Sequence, residues 1–229
     1  MAEPIPLLTE RAYEQLHRDI LSCVIAPGSE ISEAQLCAQY AFGKAAVRVA
    51  LTRLSHDGLV RAIPRRGYMV MPVTLKDIHD IFELRLMLEP MAARMAAGKV
   101  DTHQLKTFDD TCRAGYEPGD ARSTARFVAA NKAFHVAIAQ AAGNARLANA
   151  IEHLLDEMTR LLNLGLRLRR GAHGMQHEHK GLVKALARGD GDAAERICRE
   201  QIEASRNMLL SVMLTSHAMA QLGIAIDGA

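Results

Sequence analysis

Tryptophan is absent from this chain, and only five phenylalanines and four tyrosines are spread over its 229 residues. A core must therefore be filled by aliphatic side chains, and with alanine and leucine so abundant, helices are the elements that pack them. The four cysteines, Cys23, Cys37, Cys112 and Cys198, lie far apart and form no CxxC pair. That spacing excludes a zinc knuckle and a disulfide framework and fits a reducing cytoplasm. The start, MAEPIPLLTER, lacks the basic-then-apolar order of a secretory signal, so the chain is expected to stay in the cell. There is no HExxH, no nucleophile elbow and no ordered Ser/His/Asp set, which leaves a metal-dependent hydrolase, invited by the ten histidines, as a remote alternative. Long uncharged runs are also scarce. The one candidate, Met208 to Ile226, is interrupted by Ser211, Thr215, Ser216, His217 and Gln221 and has no basic flank. It reads as a final helix buried in a core or a dimer seam, with no membrane partner expected.

A strong charge excess is missing too, since the net charge is only +2. The distribution says more. Lys44, Arg48, Arg53, Arg61, Arg65 and Arg66 face the single acid Asp57 between positions 44 and 66, whereas residues 1 to 43 are dominated by acids. Clustered cations gain affinity for a duplex by releasing the counterions condensed on its phosphates.

This basic stretch sits in an ordered succession of elements. Tyr13, Leu16, Ile20 and Val24 recur at helical spacing and predict a first helix ending before Pro27 and Gly28. Ser32 and Gln35 have capping-box spacing and open a second helix through Leu36 and Tyr40. Val47, Ala50, Leu51 and Leu54 form the inner face of a third, which Gly58 stops, and its outer face presents Lys44, Arg48 and Thr52. Strand-like runs at 59–63 and 68–70 flank a Pro64-Arg65-Arg66-Gly67 turn. Three helices and a basic hairpin predict a winged helix-turn-helix over residues 9–72. In such a head the third helix enters the major groove and the wing touches backbone or minor groove.

Beyond Pro72, Thr74 and Asp77 form a second capping signal before LKDIHDIFELRLMLEPMAARMAA. Helical stretches follow near 101–116, 121–142, 144–168 and 175–215, the last broken at Gly189–Gly191, with no strand pattern or repeat. An antiparallel all-α bundle over 77–226 is the expected product, making the fold class mostly α with one small β-hairpin wing. Arg85 and Glu89 are spaced for a helix ion pair. Arg160, Arg167, Arg169 and Arg170, around Gly165 and Gly171, read as an exposed helix end.

The segments PGSEISEAQLCAQY, AVRVALTRLSHDGLV and RRGYMV resemble the head of the GntR family of bacterial regulators. Where that family usually reads SRxPVRE, this chain has Gly43-Lys44-Ala45-Ala46-Val47-Arg48-Val49. The resemblance implies DNA contact by Lys44, Arg48 and Thr52, supported by Arg53 and by Arg65, Arg66 and Gly67 of the wing. FELRLMLEPMAARMAA, NKAFHVAIAQAAGN and HEHKGLVKALARGDGDAAERICREQI resemble the FCD domain of the FadR-like branch.

By that resemblance Asn131, His135, His179 and Gln201 occupy the positions of a divalent-metal site, and Arg85 faces the effector cavity. Two of those four positions are changed, because the usual set is one Asp and three His. A carboxamide is a poorer donor than a carboxylate, so a zinc or nickel ion is expected to be held weakly, with His173 or His177 as substitutes if the helix starts late. The expected activity is ligand-responsive transcription regulation, not catalysis. The expected partners are operator DNA, a small organic acid bound by Arg85, Asn131, His135, His179 and Gln201, and a second copy in a homodimer. The alternative keeps the same head on a bundle that binds an acyl ligand or only dimerises.

Overall fold

The computed structural model describes residues 7–117, 120–168 and 179–213, which divide after Val73 into two compact units. The first holds α1 (Leu8–Leu21), β1 (Glu30–Ile31), α2 (Glu33–Tyr40), α3 (Lys44–His56), β2 (Val60–Ile63) and β3 (Gly67–Val70). Its core is aliphatic, as the shortage of aromatics requires: Leu16 and Ile20 of α1 meet Leu36 of α2 and Val47, Leu51 and Leu54 of α3. Ser32 and Gln35 form the capping box, with the Ser32 hydroxyl accepting from the Gln35 backbone N–H and the Gln35 carbonyl accepting from that of Ser32. Two of the four orphan N–H groups at that helix start are thereby satisfied.

Helix α1 is shorter than its apolar spacing predicts. Ser22 turns back onto the Arg18 carbonyl, Cys23 adopts a left-handed φ of 56°, and Val24 is left 61% exposed outside the inner stripe. Gly58, at φ 71°, follows α3 as expected.

The sheet is antiparallel with strand order β1-β3-β2. Strand β1, unforeseen in the sequence, pairs Glu30 with Met69 and Ile31 with Tyr68. Gly67 makes that pairing possible. Its φ is 116°, and a Cβ there would sit 2.5 Å from the Ile31 carbonyl oxygen, so a side chain would push β1 away from the wing.

The second unit is helical throughout its described residues: α4 (Leu75–Ala96), α5 (Thr102–Ala114), α6 (Ala121–Ala141), α7 (Ala145–Leu168), α8 (Lys180–Ala187) and α9 (Gly191–Met213). Thr74 and Asp77 form the second capping box. Helix α4 packs against α6, α7, α8 and α9 and so runs through the middle of the bundle. Pro90 lies inside it, where a missing N–H frees the carbonyl four residues earlier. That carbonyl, Leu86 O, accepts from Arg199 Nη1 of α9 at 3.4 Å. Arg160 is buried in α7, which corrects the expectation of an exposed basic end there; the side chains of Arg167, Arg169 and Arg170 lie outside the described residues. So do His173, His177 and everything beyond Met213 of the uncharged carboxy-terminal tract. No described helix is long and apolar enough to cross a membrane.

Candidate functional site

Two sites emerge, one in each unit. In the head, the buried face of α3 is Ala46, Val47, Ala50, Leu51 and Leu54, which turns Lys44, Ala45, Arg48, Val49 and Thr52 outward. Arg48 is held as a fork: its Nε and Nη2 each lie 3.0 Å from a different carboxylate oxygen of Glu33 on α2. The hydrogen bond from Arg48 lowers the Glu33 carboxyl below its ordinary range. At the wing, Arg65 takes a left-handed φ of 65° and is exposed, while Arg66 pairs with Glu30 at 3.1 Å. A groove of about 770 Å³ runs between these elements, lined by Ser32, Glu33, Cys37, Lys44, Arg66 and Gly67.

Arg53 does something else. Its Nη1 lies 2.6 Å from Glu10 of α1, and its guanidinium covers the Tyr13 ring at 3.7 Å. Arg53 clamps α1 against α3, and Tyr13 extends the clamp by donating to Asp57 at 2.8 Å. The sequence reading missed this because the partners stand 43 and 44 residues apart.

In the bundle, Arg85 and Glu89 form a buried ion pair rather than a solvated one, with Nε to Oε1 at 2.5 Å and both side chains almost fully enclosed. The Arg85 guanidinium is therefore already occupied by an internal carboxylate. Glu89 also takes Nδ1 of His135, from α6, at 2.8 Å. Burial pushes the Glu89 carboxyl up, but Arg85 and His135 outweigh it and hold it at about 2. His179, at the cap of α8, is fixed by Asp109 of α5, whose Oδ1 accepts from the His179 backbone N–H at 2.9 Å and lies 3.2 Å from its Nδ1. Phe134 stacks on the His179 ring at 4.0 Å, and His135 meets that ring edge to face at 5.5 Å.

Asn131 is buried one turn before His135, and its Oδ1 has no hydrogen-bond partner. Gln201, on α9, has a buried Oε1. Asp109 was not foreseen, although Leu105, Asp109 and Cys112 recur on one face of α5, an acid set within an apolar stripe. Burial pushes the Cys112 thiol up to about 12 and raises that of Cys198, so neither is a reactive thiolate at neutral pH.

These residues do not fit a tightly held divalent ion. Among the described residues no three His, Cys, Asp or Glu side chains gather around one point. The carboxylates present are already engaged, Glu89 by Arg85 and His135 Nδ1 and Asp109 by the His179 backbone N–H. What remains at the four positions is two imidazoles and two neutral carboxamides.

Comparison with known proteins agrees with this division. Residues 8–70 match the model described as bacterial regulatory proteins, gntR family, and residues 80–216 match the FCD domain. The chain is 27% identical to YdhC, an HTH-type transcriptional regulator of Bacillus subtilis, over 80% of this chain and 83% of that one. It is 24% identical to the HTH-type transcriptional repressor RspR of Escherichia coli K12, over 87% and 88%. Its fold superposes on that of McbR/YncC from E. coli with a TM-score of 0.77 at 22% identity, covering 90% of this chain and 99% of the other.

Proposed function

The chain belongs to the GntR family and carries an FCD domain, so it is a DNA-binding transcription regulator, and on that premise we propose that its buried polar cluster senses a small organic acid without a tightly held metal. The observation that carries this reading is Asn131 Oδ1, a buried acceptor with no partner. Such an atom costs about 1–3 kcal/mol unless something donates to it. A hydroxyl of the effector supplies that donor, while the Asn131 carboxamide N–H donates to one of the acid's oxygens and the His135 and His179 rings, edge to face, line the polar cluster beside it. Glu89 orients the His135 ring through Nδ1, and Asp109 anchors His179 through its backbone N–H. Arg85 acts at one remove by positioning Glu89, and through it His135. So many buried charges favour a small polar ligand over an acyl chain.

In the same reading α3 enters the major groove with Lys44 and Arg48 leading, Arg65 and Arg66 of the wing touch the flanking backbone, and a cytoplasmic homodimer reads two half-sites. Effector binding then shifts the population between head arrangements of different operator affinity.

Thermal-shift titration of the full chain with small carboxylic and hydroxy acids tests the pocket. One of them should raise the Tm of the wild type but not of Asn131→Leu. If fatty acids stabilise both proteins and no small acid stabilises either, the acyl reading replaces this one.

A further inference from the structure

The outward face of α3 carries an apolar row set among cations. Ala45, Val49 and Thr52 follow one another at four- and three-residue steps, all exposed, with Val49 at 45%. Thr52 belongs to the row because its hydroxyl is turned back onto the Arg48 carbonyl, at 3.0 Å, which leaves its methyl as the group it offers outward. Arg48 lies beside the row, gripped by Glu33, and Lys44 stands at its amino-terminal end. No acid lies on this face of the helix.

An exposed valine on a helix with a complete core face of its own has no partner within the head. The flanking cations specify what covers it, because they complement phosphate. Within a major groove the one apolar group that bases present is the 5-methyl of thymine.

We propose that Ala45, Val49 and Thr52 form a methyl-reading row that selects thymine beside the base contacted by Arg48, with Val49 as the specificity-determining residue. This rests on the reading that α3 enters the major groove. It assigns a role to Val49 that an acid at this position does not fill, since a carboxylate there would face phosphates and offer no apolar surface. Covering one methyl group corresponds to about a 4-fold gain in affinity at each half-site.

The test uses the full chain and an operator selected from a random-sequence duplex pool, synthesised once with thymine and once with deoxyuridine, which lacks only the methyl. Wild-type protein should bind the uracil duplex about 4- to 16-fold more weakly. Val49→Ala, an exposed change that leaves the core untouched, should bind the thymine duplex more weakly by a similar factor and lose most of its discrimination between the two. Any effect of uracil on duplex shape persists in Val49→Ala, so the cycle isolates the contact. Tight, salt-dependent wild-type binding that is indifferent to uracil overturns the methyl row while leaving the docking of α3 intact. Discrimination that survives unchanged in Val49→Ala also overturns it. Failure of the wild type to enrich any duplex overturns the docking and the row together.

Discussion

Glu33 grips Arg48 with both carboxylate oxygens, each 3.0 Å from a guanidinium nitrogen, and so ties the foremost cation of α3 to the start of α2. The pair is solvent-exposed, with 60% of the Arg48 side chain accessible, and water and salt screen its contribution to stability. Its value is geometric, because a fork fixed before docking loses less freedom on meeting a base edge. Glu33→Gln should leave the melting temperature nearly unchanged and reduce the ratio of operator to random-duplex affinity several-fold. Arg48→Ala should cost about 1–3 kcal/mol of operator binding. Competition anisotropy with both duplexes reads the two effects.

Arg53 gives the opposite pattern. Removing a guanidinium that pairs with Glu10 and covers Tyr13 takes away an ion pair, a cation–π contact and packed methylenes, together about 1–2 kcal/mol. Arg53→Ala should lower the unfolding temperature of the head while operator affinity, measured well below that temperature, stays within about 2-fold. A large loss of affinity with unchanged stability would return Arg53 to the DNA face.

Acid should loosen the bundle through Glu89. Its folded-state carboxyl sits at about 2, below the ordinary 4.5, so the stabilisation it supplies is fully present above about 4.5 and is lost as pH falls toward 2. Glu89→Gln leaves Arg85 buried without its counter-charge and should destabilise the bundle by about 3–5 kcal/mol near neutral pH. It should also flatten the fall in stability between pH 4.5 and 3. Thermal unfolding across that range, followed by circular dichroism, checks both; a parallel pH dependence in the two proteins would contradict the assignment.

Metal retention follows from the same geometry. The wild type should come through dialysis with well under one zinc or nickel per chain, and chelator should leave its Tm unchanged. Asn131→Asp with Gln201→His supplies the missing carboxylate and imidazole beside two histidines that Glu89 and Asp109 already hold in place. That double variant should retain close to one ion per chain in elemental analysis and gain thermal stability with added zinc. A stoichiometric ion in the wild type would overturn the proposed metal-free pocket.

What could be foreseen in the sequence divides along physical lines. Local signals carried well: the Ser32/Gln35 and Thr74/Asp77 boxes, the glycine after α3, the hairpin around Pro64–Gly67 and the largely helical fold all depend on residues within a few positions of one another. Long-range chemistry did not. Strand β1 is two residues long and exists only because Gly67 lets Ile31 approach, which no spacing rule signals. Arg53 has the composition of a DNA contact, and only the placement of Glu10 and Tyr13 on α1 shows its other use. Asp109 meets His179 across 70 residues. The Arg85–Glu89 pair is legible from its four-residue spacing, but its burial and its third member, His135 from α6, are not.

The most direct test is the salt dependence of operator binding by the full chain, compared with Lys44→Ala and Arg65→Ala. If α3 and the wing neutralise phosphates, the logarithm of affinity falls linearly with the logarithm of salt concentration, and each substitution, present in both copies of the homodimer, makes the slope shallower by about two. Binding indifferent to salt, or a slope that neither substitution changes, would contradict the docking of this face on DNA.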